Sequence, residues 1–483
     1  MRAKCFSGGI YAPLSPQNVT KIHNAALKVL NVTGIAYEVG LEDTVDMLEK
    51  AGARIDREEQ RVRFPSSLIE ERTRIAPERV VLCSRDGKND LDLKEHQVHM
   101  GTGGAAIRTL DLETGKARPT VLNDIHQIGR LVDHLDNILF FLRPCIPTDL
   151  REEEYDVNVF YTCLKATGKH VMLGVNNEEG LQKIIKMAAM IAGDMPSLQK
   201  RPFFSVITSF SISPLKLCTQ STKIMQEATR KKIPVALSAA PMSGSTSPMT
   251  MAGTLVQLHA EQLAGICICQ LTHPGSPILY GGIPGMANMN TMGYRGGGVE
   301  CGMMNAAVHQ LANHIRVPNY NSSGLSDAKI PDAQTGWEKG MTSLLVAMGG
   351  SNYVHHAAGM LESMLAVAYE QYVIDDEIIG MCYKVLNGIA VDDEHMALDV
   401  IDSVGPGGSY MTAEHTLSHL RTEYFLGNGI SDQKSREQWE AGGSKDTFER
   451  AREMVKAILS EPEKSYIPYE TDQKIKSRFK ISH

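Results

Sequence analysis

From residue 98 onward, short apolar runs alternate with longer stretches of helical spacing. The runs cover residues 98–101, 138–143, 170–175, 203–208, 234–239, 277–281, 317–321 and 352–356, and their starts lie 31 to 43 residues apart. Strands buried on both faces read as continuous apolar runs rather than as alternation. Each interval has room for one helix and two loops. Eight such units predict an α/β fold, a (β/α)8 TIM barrel over residues 98–390. An open doubly wound sheet is the alternative, because closure is not written in the pattern. Ser213-Pro214 and Ser247-Pro248 read as an N-cap followed by proline in the first helical turn.

Residues 1–97 have a different rhythm and predict an α+β extension packed on the barrel. Residues 19–32 carry helical apolar spacing behind Ser15-Pro16, residues 41–51 form a second amphipathic helix closed by Gly52, and residues 61–64 and 80–83 read as short strands. Residues 391–483 predict a helical C-terminal extension, with helices over 397–404, 413–424 and 448–460.

Composition narrows the function. Of the 483 residues, 42% are apolar and 22% charged, which suits a large core and excludes a disordered chain. The net charge of −7 argues against nucleic acid as a partner, and the basic tail at Lys474, Lys476, Arg478 and Lys480 reads as a solvated end. The nine cysteines include no Cys-x-x-Cys pair, so neither a disulfide framework nor a zinc ribbon is expected, and the thiols point to a reducing cytoplasm. Residues 1–17 lack the apolar stretch of a signal peptide, and no run is long enough to predict a membrane span.

Barrel enzymes carry their chemistry at the C-terminal ends of the strands. Those ends are rich in Gly, Ser and Ala, which leaves an open mouth for a bulky planar object. His355 and His356 end the last run and are the candidate catalytic pair; alternation along a strand predicts that only one of them points inward. Tyr320, Phe210, Tyr353 and Tyr280 offer aromatic faces, and His99, Arg295 and Lys329 are candidate donors for an anionic group. Gly101-Thr-Gly-Gly104 follows a strand but lacks the Lys-Ser/Thr of a phosphate loop, and the hairpin around Thr114-Gly115 replaces the expected helix. His415 and His419 share a helix face without the glutamate of a zinc protease, so no metal is expected. Asp375-Asp376-Glu377 reads as capping carboxylates at a helix start. Methionines over residues 286–304 suggest a flexible surface for a partner or a large flat ligand.

Several blocks together carry a resemblance. They are Ala236-Leu-Ser-Ala-Ala-Pro241, Met249-Thr-Met-Ala-Gly-Thr-Leu255, His259-Ala-Glu-Gln-Leu-Ala-Gly265, Ser326-Asp-Ala-Lys329, Asp332-Ala-Gln334, Glu338-Lys339, Glu370-Gln-Tyr-Val-Ile-Asp-Asp-Glu377 and His415-Thr-Leu-Ser-His-Leu-Arg-Thr-Glu423. Over most of residues 95–460 the chain resembles the trimethylamine methyltransferase superfamily, whose members are (β/α)8 barrels. Founding members demethylate trimethylamine and carry pyrrolysine in the barrel. This chain has only standard residues near the equivalent stretch, Asn319 to Lys329, and so resembles the non-pyrrolysine branch. That branch implies methyl transfer from a quaternary amine to the Co(I) form of a separate corrinoid protein. The implied substrates are glycine betaine first, then proline betaine, carnitine or γ-butyrobetaine. The cobalamin-type cofactor would be carried by the partner rather than bound tightly here, within anaerobic one-carbon metabolism (methylotrophy). A homo-oligomer is expected of such a barrel. Two readings of other classes stay beside it: a metal-dependent barrel hydrolase using His99, His355 or His356, and a betaine-binding protein without catalysis.

Overall fold

In a computed structural model, the structure describes residues 5–482, so Met1 to Lys4 and His483 lie outside it, as do those ends of the first and last predicted regions. Eight parallel strands form the core: β1 (His99–Thr102), β2 (Phe141–Leu142), β3 (Val171–Leu173), β4 (Phe204–Thr208), β5 (Val235–Leu237), β6 (Ile278–Gly282), β7 (Asn319–Ser322) and β8 (Tyr353–Ala358). They pair in the order β1-β8-β7-β6-β5-β4-β3-β2. The two ends of that sheet meet, because Leu139 N donates to Met100 O at 2.8 Å and Thr102 N donates to Phe140 O at 3.5 Å. The sheet is therefore a barrel rather than the open doubly wound alternative. Each strand overlaps one of the eight apolar runs, with β1, β6, β7 and β8 continuing one or two residues past the end of theirs, and at least one helix follows each strand, from Leu122–His134 after β1 to Tyr369–Asn387 after β8.

The N-terminal extension closes the barrel at the start of its strands. A hairpin of Val80–Leu82 and Leu91–Leu93 continues into Cys83, whose carbonyl meets His170 Nδ1 at 2.9 Å and whose N–H donates to Pro202 O at 3.1 Å. Both partners lie just before a barrel strand. Ile35–Tyr37, Arg54–Asp56 and Arg61–Arg63 form a second sheet, which is completed by Ser211–Ile212 and Lys216–Leu217 from the barrel itself.

That recruitment corrects the reading of Ser213-Pro214. These residues form the turn between the two recruited strands, and the following helix starts only at Thr219. The Glu261 carboxylate holds the turn, accepting from Ser213 Oγ and Leu215 N, each at 2.9 Å. Ser247-Pro248 also precedes its helix, which starts at Met251 with Thr250 as its cap. Asp375-Asp376-Glu377 is corrected too: these residues lie in the middle of helix Tyr369–Asn387 and are buried. The C-terminal region is helical, and helix Thr447–Ser460 packs on Tyr369–Asn387 through Ala451, Val455 and Ile458. Among the described residues, no helix is long and apolar enough to cross a membrane.

Two glycines should respond oppositely to the same change. A Cβ on Gly281 would lie 1.6 Å from the Tyr320 carbonyl oxygen, whereas one on Gly336, inside helix Ala333–Gly349, meets nothing within 4 Å. Urea unfolding should show Gly281→Ala losing at least about 3 kcal/mol. Gly336→Ala should gain up to about 1 kcal/mol, the helix preference of alanine over glycine. Equal effects at the two positions would contradict this packing.

Candidate active site

The mouth is built at the C-terminal ends of β6, β7, β8 and β1. Tyr280 on β6 faces outward, where its hydroxyl meets His259 Nδ1 of helix Met251–Thr272 at 2.8 Å. Alternation turns the next residue, Gly281, inward. With no side chain on Gly281, the Tyr320 ring of β7 lies across it, its Cδ1 3.1 Å from the Cβ position. Tyr320 therefore lines the interior, with the His355 ring 5.0 Å away. Two residues earlier on β8, Tyr353 stacks on Phe140 with centroids 3.6 Å apart. Gly101 makes that stack possible, because a Cβ there would sit 2.5 Å from the Phe140 ring.

His355 and His356 do not alternate. His356 has φ +64°, and the register of β8 against β1 shifts between Val354 and Ala358. This left-handed bulge turns both imidazoles to one side, with centroids 3.9 Å apart. The expectation that only one could point inward is corrected. His356 Nδ1 meets Ser322 Oγ at 2.8 Å. Burial and the nearby Lys339 charge pull its pKa down to about 3. His355 is 2% exposed, and neither of its ring nitrogens has a hydrogen-bond partner. Burial, with His356 beside it, pulls its pKa well below the ordinary value, so the ring is neutral.

More unpartnered polar atoms gather around it. Tyr353 Oη and Ser323 Oγ are buried without hydrogen bonds, and Tyr320 Oη makes none of sound geometry although Ser238 lies beside it. Buried polar groups in folded proteins are nearly always satisfied. A concentration of orphans inside a barrel mouth marks a place for a polar ligand.

A buried ion pair supports the two strand ends. Lys339 and Asp375 have fully buried side chains, with Nζ to Oδ2 at 2.9 Å. Lys339 also donates to the Gly324 carbonyl just beyond β7, and Asp375 accepts from Gly359 N at 2.7 Å just beyond β8. Gln371, one helical turn earlier, donates to the other Asp375 oxygen at 2.9 Å. Burial lowers the Lys339 pKa and raises that of Asp375, and each charge opposes the other's shift. The loop after β7 is fixed by Glu338, which accepts from Ser326 Oγ at 2.6 Å and Asp327 N at 2.9 Å. Asp327 in turn accepts from Gly296 N at 3.0 Å and from Ser363 Oγ.

The structure thus brings together His355, His356, Tyr320 and Tyr353. It does not bring in the other sequence candidates. Phe210 packs on helix Met251–Thr272, where a Cβ on Gly265 would lie 2.5 Å from its ring, and Tyr280 faces the same helix. His99 is the first residue of β1, at the closed end, with Nδ1 3.0 Å from Asn352 O. Arg295 and Lys329 are on the rim: Arg295 lies 3.9 Å from Asp327, and Lys329 donates to the Asp327 carbonyl at 2.7 Å. His415 and His419 stack at 4.1 Å on the surface. Among the described residues, no group of three or more His, Cys, Asp or Glu side chains is placed to hold a metal ion. Sequence reasoning missed Phe140, Ser322 and the Lys339–Asp375 pair; Glu338-Lys339 and Asp375 stood in the resemblance blocks, but without any sign that they meet.

Residues 6–480 match the family described as trimethylamine methyltransferase (MTTB). The chain is 35% identical to a trimethylamine methyltransferase of Desulfitobacterium hafniense, with 96% of this chain and 92% of that protein covered. It is 29% identical to a glycine betaine methyltransferase of another strain of that species, over 97% of this chain and 95% of the relative. Against a trimethylamine methyltransferase of Methanosarcina thermophila the identity is 33%, with 92% of each covered. Among solved structures, a Xanthomonas albilineans dihydropteroate synthase matches at 12% identity and a TM-score of 0.39, over 65% of this chain and 99% of that one. The barrel is read from this chain's own strand pairing.

Two stability measurements follow. Lys339→Met leaves Asp375 buried without its counter-charge and should cost about 3–5 kcal/mol in urea unfolding. Adding Asp375→Leu should recover most of that loss; no recovery would mean the pair is not the cause. The buried histidines set the pH response. His99, His170 and His309 are pulled to about 4, and His356 to about 3. The unfolded chain takes up their protons first, near pH 6.5, so each contributes stability above that pH that is lost on acidification. The unfolding free energy from urea titration should hold between pH 7 and 8, then fall by about 1 kcal/mol per pH unit for each histidine as pH drops from 6.5 towards 4. A flat profile over that window would contradict their burial.

Proposed function

Because the chain belongs to the trimethylamine methyltransferase family and is a methyltransferase, we propose that it moves one methyl group from a quaternary amine to the Co(I) form of a corrinoid protein. Glycine betaine is the first candidate substrate, and the tertiary amine is released. The observation that carries this reading is His355, buried at the end of β8 with both ring nitrogens unpartnered among Tyr320, Tyr353 and Ser323.

A betaine has a cationic head and an anionic tail, and the mouth offers something to each. The faces of Tyr320 and His355 suit the quaternary ammonium through cation–π attraction. The N–H of neutral His355 and the Tyr320 and Tyr353 hydroxyls are the donors for the carboxylate. Trimethylamine has no polar tail and would leave these donors unpaired, which is the kind of mismatch that polar sites reject. Only standard residues occupy Asn319 to Lys329, as in the branch that acts on quaternary amines.

The chemistry needs no general acid. The methyl–nitrogen bond breaks, its electron pair stays on nitrogen, and the amine departs neutral without a proton. Positive charge on nitrogen fades in the transition state, so a carboxylate against the head would favour the ground state. Ring faces hold the head without that penalty. The task of His355, Tyr320 and Tyr353 is to orient one methyl outward and keep water from the head. The docked partner's corrinoid supplies the nucleophile, cobalt(I). The rim fits an approaching flat face: Met249, Met289, Met292 and Leu365 are exposed on the loops after β5, β6 and β8, and Trp337 is exposed near the start of the helix Ala333–Gly349 that follows β7. The nine free cysteines fit a reducing cytoplasm.

The test is anaerobic. The protein is mixed with reduced cobalamin, or with candidate corrinoid proteins, and a panel of glycine betaine, proline betaine, carnitine, choline and trimethylamine. Methyl-cobalt absorbance and the demethylated amine are followed. Conversion of a betaine in preference to trimethylamine is expected; no conversion with any corrinoid protein, or trimethylamine as the preferred donor, would overturn the reading. His355→Ala should lower kcat/KM for the betaine by at least about a hundredfold, close to 3 kcal/mol. Trp337→Asp should raise the KM for the corrinoid protein about tenfold while leaving betaine binding unchanged. With His355 neutral throughout, its titration should put no inflection near pH 6.5 in the rate; an inflection that disappears in His355→Gln would contradict that.

A further inference from the structure

His355, Tyr320 and Ser323 are buried, although β7 and β8 end beside them. The N-terminal extension closes the other end of the barrel, and helices close its flank. Their cover therefore comes from the loops that leave the strand ends, and a solute reaches His355 only if one of those loops moves.

Three of the loops are knotted together there. The loop after β8 is a hairpin of Met360–Leu361 and Ala366–Ala368. Its first residue, Met360, lies on Gly104 just beyond β1, where a Cβ would sit 2.5 Å from the Met360 sulfur. Its tip crosses to the loop after β7. Glu362 N donates to Ala328 O at 3.0 Å, and Ser363 N donates to Ser326 O at 2.8 Å. Ser363 Oγ donates to the Asp327 carboxylate, which also accepts from Gly296 N at 3.0 Å and Gly297 N at 3.3 Å on the loop after β6. Asp327 thus ties the three loops to one another.

Two observations make the tip the part that moves. Glu362, Ser363 and Met364 have φ +49°, +54° and +98°, three consecutive residues with side chains in the left-handed region. Such residues persist only where their neighbours hold them, and their strain offsets part of what the tip's hydrogen bonds return. The Asp327 side chain is 25% exposed, so water competes for those bonds. The roots on either side are fixed by contrast. Gly324 and Gly359, with φ +65° and +89°, are gripped by the Lys339–Asp375 pair. The returning leg is fixed by Leu365 O, which accepts from Ile107 N and Arg108 N at 3.1 Å, and by the pairing of Ala366–Ala368 with Arg108–Leu110. We infer that residues 362–364 are a lid over the histidine site, latched by Asp327, and that the latch releases to admit substrate. Asp327 is a positioning residue that touches no substrate, and the lid serves whichever amine the site takes.

Diethyl pyrocarbonate tests this without any substrate, so the lid is read separately from the reaction. The reagent acylates neutral imidazole, and burial keeps the His355 ring neutral. Acylation of the full chain near pH 7 is mapped by peptide mass spectrometry. His355 should react at least about a hundredfold more slowly than the exposed His314. Asp327→Ala should speed His355 at least about tenfold and leave His99, buried at the closed end, unchanged. An unaltered chain in which His355 reacts as fast as His314 would overturn the lid. So would an Asp327→Ala variant that leaves His355 unchanged, or one that speeds His99 equally, the mark of general loosening. If Asp327→Ala does not fold, hydrogen exchange on the unaltered chain decides. The Glu362 and Ser363 amides should exchange at least about tenfold faster than the strand amides of β7 and β8, and equal rates would sink the idea.

Discussion

The mouth depends on one buried ion pair. Lys339 and Asp375 come from the helices that follow β7 and β8, and between them they grip the backbone at the ends of both strands. Removing two charges from water is costly, and an ion pair alone returns that cost only when the remaining hydrogen bonds are made. Here they are made, by Gly324 O, Gly359 N and Gln371. The pair contributes little as a source of stability compared with an apolar substitute. What it provides is geometry: two strand ends held at a set separation while the residue between them adopts a conformation it would not choose. That residue is His356. A left-handed backbone on a residue with a side chain costs about 1–2 kcal/mol. The result of that strain is two neutral imidazoles on one side of one strand.

The barrel was legible because parallel strands buried on both faces are apolar throughout, and each of the eight runs overlaps a strand. The same property hid the site. A run apolar on both faces does not say which residues point inward, so Tyr280 and Phe210 looked as suitable as Tyr320 and Tyr353. Gly281 and Gly101 carried the missing information, since each leaves a gap that an aromatic neighbour fills. Ser213-Pro214 misled for a different reason. Cap-then-proline is a local signal, and pairing with Ile35–Tyr37 some 180 residues away overrode it. Asp375 misled because capping rules assume an exposed helix start, whereas its partner, Lys339, lies on the preceding helix. His355 and His356 defeated the alternation rule through a bulge that no local residue type announced.

On the proposed reading, the chemistry of a quaternary amine explains why such a mouth suffices. A quaternary-amine substrate would arrive with its activation built in as a fixed positive charge, and its leaving amine would need no proton. Acid–base machinery is therefore unnecessary, and histidines held neutral by burial are in the state the reaction can use. What remains is to orient a small dipolar molecule and leave one methyl group open to the rim. A glycine-rich mouth with an apolar edge does the second task, and orphaned donors beside two aromatic faces do the first.

The most direct test of this account is a crystal structure of the full chain with glycine betaine bound. The account predicts the ammonium head against the faces of Tyr320 and His355, and the carboxylate within hydrogen-bond distance of a His355 nitrogen and of a Tyr320 or Tyr353 hydroxyl. A betaine bound outside the mouth, or one in the mouth with its carboxylate in solvent and His355 still unpartnered, would contradict it.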